Sequence, residues 1–120
     1  MIDRYARAVM KSIWSEEAKY DNWLQVELAV CQAWSEIGVI PKEDMKKLEK
    51  ATYNLKRINE IFDQTKHDMT AFTRSITETI GDEGRWIHLG ITSNDVIDTA
   101  QNMQLVLSAN QLLEELDGAI

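Results

Sequence analysis

The chain is predicted to be all-α, on three observations. Apolar residues recur at three- and four-residue spacings through most of its length, and strand-like alternation never lasts more than a few residues. Glycine and proline fall where the periodic runs stop or start. With one proline and five glycines in 120 residues, little sequence is left for long irregular loops. No repeat with a period of 20–50 residues is visible.

The elements follow in order. Ser15 is placed to cap a helix, and Glu16 and Glu17 put negative charge at the positive end of its dipole. The run through Tyr20, Trp23, Leu24, Val26, Leu28, Val30, Cys31, Trp34 and Ile37 is a wide apolar face, predicting burial on more than one side; Gly38 suits its end. Pro41 opens a second helix over "PKEDMKKLEKA", with Met45 and Leu48 inward and its charges read as a solvated face with i,i+4 pairing. "LKRINEIFDQ" gives a third, through Leu55, Ile58, Ile61 and Phe62. After the interruption "KHD", a fourth runs through Phe72, Ile76 and Ile80 to Gly81. "GDEGRWIHLG" reads as the longest irregular passage. The last helix starts near Thr92, whose spacing to Asp95 fits a capping box, and carries Val96, Ala100, Met103, Leu107, Leu112, Leu113 and Leu116. That is more apolar surface than one small domain hides, and the run reaches Ile120 unfinished, so a truncated last helix is expected.

Composition narrows the classes of function. At 44% apolar and 28% charged residues this is ordinary globular material, the size of one domain. The N-terminus lacks the apolar core of a secretory signal, and no apolar run approaches the ~18–20 residues that cross a bilayer, so a soluble, cytoplasmic chain without a membrane partner is expected. A net charge of −7 argues against a nucleic-acid partner but not against a small anion, which feels only the local field. The single cysteine, Cys31, lies in an apolar run and reads as a buried structural thiol; no Cys/His set has zinc spacing, so no metal is expected. Trp14, Trp23, Trp34 and Trp86 read as core or interface aromatics, because no basic stripe accompanies them.

Three polar groups fall at helix boundaries. Arg4 and Tyr5 near the N-terminus are on their own either a surface pair or ligand contacts. Lys66, His67 and Asp68 have two readings. Asp68 caps the following helix beside a solvated His67, or it orients and tunes an imidazole. "HLGITSNDVIDTA", from His88 to Ala100, concentrates more chemistry. A helix N-terminus offers free N–H groups and a positive dipole end, Thr92 and Ser93 add hydroxyl donors, Gly90 permits close approach, and His88 is read as a further hydrogen-bond donor. Either it is an ordinary cap or it grips an anion. Phosphate-binding GxxxxGK[ST], GxSxG and HExxH patterns are all missing.

The strings "KHDMTAFTRSITETIGDEGRWIHLGITSNDVIDTA", "MIDRYARAVMKSIWSEEAKYDNWLQVELAVCQAW" and "GVIPKED" together resemble the N-terminal region of the bacterial adenylosuccinate lyases, within the fumarase/aspartase superfamily. The RY pair, the [KR]HD and the WxHxGxTSxD pattern, in that order, carry the likeness over nearly the whole chain; the RY and WIHLG settings favour this family over argininosuccinate lyases. The resemblance implies a helical N-terminal domain over residues 1–91 and the start of a central bundle helix over 92–120. It implies cleavage of adenylosuccinate to AMP and fumarate, and of the related succinyl-carboxamide ribotide, by β-elimination without a cofactor, in a homotetramer with shared sites. Arg4 and Tyr5 then resemble nucleotide contacts. Lys66, His67 and Asp68 resemble a substrate-binding tripeptide with His67 near the reacting atoms. Thr92 and Ser93 resemble donors to the succinyl carboxylate, with His88 supporting them. Lys66 stands where many members carry Arg, keeping the charge without the bidentate fork. The family's acid and base lie downstream, so this chain alone is expected to be inactive. Another lyase of the superfamily, or a non-catalytic helical interaction domain, remains the alternative.

Overall fold

A computed structural model describes residues 2–120 and contains no strand among them. Six α-helices follow one another: α1 (Ala8–Ile13), α2 (Glu16–Glu36), α3 (Lys42–Leu48), α4 (Leu55–Thr65), α5 (Asp68–Ile80) and α6 (Ser93–Ala119). Two short 3-10 turns, Asp3–Tyr5 and Asp82–Trp86, complete the set. The second of these lies inside the passage read from sequence as irregular. The all-α expectation holds.

Local chemistry sets the boundaries. Ser15 caps α2, its hydroxyl accepting from the Ala18 N–H at 3.1 Å. Asn54 caps α4 in the same way through the Arg57 N–H, also at 3.1 Å. Pro41 is the N-cap of α3 and precedes its first turn, one position earlier than the first-turn site prolines favour.

The core is built on one stripe of α2. Tyr20, Trp23, Glu27, Cys31 and Ser35 repeat every three or four residues and are buried, with Leu24, Val26, Leu28 and Trp34 flanking them half-buried. α4 and α5 form an antiparallel hairpin whose Ile58, Ile61, Met69, Phe72 and Ile76 share one buried core with this stripe. Phe72 sits at the junction, stacked on Tyr20 (ring centroids 5.5 Å) and edge-on to Trp23 (5.4 Å). Burying a side chain of that size contributes roughly 1.5–3 kcal/mol. The hairpin is tied at its open end by the Arg57 guanidinium, which forks onto both oxygens of Glu78 at 2.7 and 2.9 Å.

Most charges of α3 are exposed, as the solvated-face reading expects, but their pairing lies outside the helix. Lys47 pairs with Glu83, and Asp44 accepts from Trp86 Nε1 (2.9 Å) and Arg85 (3.2 Å). α3 therefore uses its polar side to hold the Asp82–Trp86 turn, and no ion pair within α3 is formed among the described residues. That turn also presses on α5: a Cβ on Gly84 would lie 2.8 Å from Thr77 Cβ, so only glycine fits there.

α6 packs on α2 through Val96 and Ala100, and farther along on α1. There Trp14 Nε1 donates to Ser108 Oγ (2.9 Å), Gln104 donates to the Ile13 carbonyl (2.8 Å), and Arg7 pairs with Glu115. At 1.5 Å per residue α6 is about 40 Å long, and it sets the molecule's 52 × 35 × 22 Å extents. The radius of gyration, 16.6 Å, exceeds the roughly 14 Å of a compact chain this size. Leu105, Val106, Leu107, Leu112, Leu113 and Leu116 are exposed along it.

Candidate functional site

The α5 start is made by a histidine. Lys66 ends α4 in the left-handed region (φ 53°), which turns the chain sharply enough for α5 to begin two residues later. His67 is the N-cap of α5, its Nδ1 accepting from the Thr70 N–H at 3.2 Å. This corrects the reading in which Asp68 caps the helix: Asp68 is its first residue, and its Oδ1 accepts from the Met69 N–H at 2.7 Å. His67 is exposed, and so is Lys66, which lies 3.6 Å from Asp63.

The α6 start is built differently. Thr92 is the N-cap, and Asp95 closes the capping box, accepting from the Thr92 N–H (2.7 Å) and hydroxyl (2.9 Å). The Thr92 N–H, then its hydroxyl, hold the Asp95 carboxyl below the ordinary carboxylate range, with a smaller contribution from His88. The chain thus already supplies one carboxylate to this helix start, while the N–H groups of Ser93 and Asn94 make no hydrogen bond among the described residues.

His88 reaches this start from the core side. Its backbone is left-handed (φ 66°), its N–H donates to Glu27 Oε2 at 2.9 Å, and its Nδ1 lies 2.6 Å from Glu27 Oε1. Glu27 is completely buried, whereas the His88 side chain keeps a quarter of its surface open. Gly90 (φ 74°) follows, with Trp34 packed so closely that a Cβ would meet its ring at 3.0 Å; Trp34 Nε1 donates to the Leu89 carbonyl. Beneath them Cys31 is 1% exposed, and burial, followed by the charge of Glu27, pushes its thiol up to about 11. It is the inert structural thiol its sequence setting predicts.

Arg4 and Tyr5 lie elsewhere. Both are exposed in the Asp3–Tyr5 turn, the guanidinium donating to the Tyr5 hydroxyl (2.5 Å). Arg7 pairs with Glu115, about 33 Å along α6 from Ser93 at 1.5 Å per residue. The three residues back to Arg4 span at most ~11 Å, so one chain keeps this pair away from Thr92 and Ser93. No hydrogen bond or ion pair among the described residues joins Lys66–Asp68 to His88–Ser93. No group of three or more His, Cys, Asp or Glu gathers as a metal site among them either.

A family model described as Lyase matches residues 4–119. The chain belongs to this lyase family. It is 47% identical over 118 residues to the adenylosuccinate lyase of Bacillus subtilis (strain 168), covering 98% of this chain and 27% of that protein. It is 51% identical over 116 residues to that of Streptococcus mutans serotype c, covering 96% of this chain and 27% of that protein. The chain thus spans little more than a quarter of these relatives. The crystal structure of fumarate lyase from Mesorhizobium sp. BNC1 superposes with a TM-score of 0.70 over 84% of this chain and 26% of that one, at 19% identity, a likeness of fold.

One polar residue of this lyase chain escaped the sequence reading. Glu27 looks like a surface charge between Val26 and Leu28. Its signal was positional, for it falls four residues from both Trp23 and Cys31, on the stripe that proves buried.

Proposed function

We propose that this chain is the N-terminal part of an adenylosuccinate lyase. The longer protein cleaves adenylosuccinate to AMP and fumarate, and the succinyl-carboxamide ribotide to its carboxamide and fumarate. What carries the reading is the 47–51% identity to two adenylosuccinate lyases over nearly the whole chain. The reaction is a β-elimination: a base removes the proton beside a carboxylate, and an acid protonates the departing nitrogen.

In this reading residues 1–91 are the N-terminal domain and 92–120 the start of the central bundle. Arg4 and Tyr5 contact the nucleotide, and Lys66, His67 and Asp68 hold the substrate near the reacting atoms. Ser93 donates to the succinyl carboxylate, Thr92 joins it once its hydroxyl turns from Asp95 to the ligand, and His88 supports them. The open Ser93 and Asn94 N–H groups suit an anion at that helix start. The separation of Arg4–Tyr5 from Thr92–Ser93 within one chain favours complete sites drawn from several chains of a homotetramer. The apolar residues exposed along α6 suit burial in such an assembly. The acid and base come from sequence beyond this chain, in a cytoplasmic enzyme without a cofactor.

The test is fumarate release. The longer protein should turn over adenylosuccinate and leave argininosuccinate untouched; the reverse preference would overturn the assignment. The 120-residue chain alone should release no fumarate, and turnover by it would overturn the placement of acid and base.

A further inference from the structure

The buried carboxylate of Glu27 is not accounted for by the lyase reading. It sits in the core of α2, where an isolated charge is costly, and both its oxygens are spent on one residue, His88. One grip, on the backbone N–H, fixes the left-handed turn at His88. The other, on the ring, fixes where the imidazole points.

We propose that Glu27 is a positioning residue for His88. It holds the imidazole with the proton on Nδ1 facing inward and leaves Nε2 as the ring nitrogen free to meet a ligand. A carboxylate offers only lone pairs, so the ring nitrogen facing it must donate, and the partner of one imidazole nitrogen determines the state of the other. Nε2 makes no hydrogen bond among the described residues, on a side chain that is a quarter exposed.

His67 provides an internal contrast. A backbone N–H can only donate, so the His67 Nδ1 that meets Thr70 must accept, and the proton of the neutral ring sits on Nε2. The molecule's two histidines are therefore held in opposite tautomers. In its neutral form His67 turns a donor outward, and His88 turns an acceptor outward. That His88 supports the substrate's grip rests on the proposed function; the state of its ring does not.

With two histidines in the chain, the test is simple to read. Two-bond 15N–1H correlation spectra of histidine-labelled chain at about pH 8, where ordinary imidazoles are neutral, should show one ring protonated on Nδ1 and one on Nε2. The variant His67→Asn assigns the first to His88. A His88 proton on Nε2, or random-coil shifts for both rings, would overturn the proposal. In Glu27→Gln the amide accepts the backbone N–H through oxygen and turns its NH2 to the ring, so the His88 proton should move to Nε2. A folded Glu27→Gln chain still protonated on Nδ1 would count equally against it. The readout is a proton's position, so failure of the fumarate assay leaves it standing, and its own failure leaves the lyase assignment untouched.

Discussion

The starts of α5 and α6 each have a histidine close by and are held in different ways. At α5 the histidine is itself the cap, exposed, with one ring-to-backbone bond of 3.2 Å securing it. At α6 the capping falls to Thr92 and Asp95, and the histidine four residues upstream is anchored to a carboxylate inside the core. The difference separates two ways of aiming an imidazole. One makes it part of the helix it begins, so loss of the ring loosens the local turn. The other ties it to a neighbouring helix, so its aim depends on packing far from the surface.

Breaking the core anchor should have the largest effect. Glu27→Ala leaves the His88 N–H and ring without a buried partner and opens a cavity beside Cys31. A loss of about 3 kcal/mol is expected, read as a lower urea midpoint. Removing a cap should cost less and sharpen the contrast. His67→Ala and Thr92→Ala should each lose about 1 kcal/mol, while His67→Asn, which keeps a capping acceptor, should stay near the parent in the same melts.

The smallest effect is in the acid range. Asp95 has its folded pKa lowered, so its contribution is fully present above the unfolded value of about 3.9 and lost as pH falls through the lower folded one. Asp95→Asn should lack that part of the acid dependence. The stability difference between parent and variant, measured in urea from about pH 5 downward, should shrink as the pH drops. A constant difference would remove the capping box from the comparison.

Much of this arrangement is legible in the residues. Ser15, the Thr92–Asp95 spacing and Gly81 mark helix ends by local chemistry, which needs no knowledge of the rest of the chain. Phe72 and Ile76 are legible by periodicity. What escapes is the tertiary use of polar side chains. Asp44 and Lys47 read as solvent-facing because their partners lie about forty residues away in sequence. Gly84 gives no local hint of Thr77 pressed against it. Capping of α5 by His67 escapes for another reason, since Ser, Thr, Asp and Asn are the usual caps and Asp68 stands one position on.

The layered support of α6 also sets a gradient in time. Its first turns rest on α2, its middle on α1 through Gln104 and Ser108, and beyond Ser108 none of its residues is buried. Amide protons near Ala100 should therefore outlast those near Leu116 in deuterated water, because the far turns open without disturbing the core. Exchange along this one helix becomes a clock that runs faster toward its exposed leucines, and any partner covering them should slow it there first.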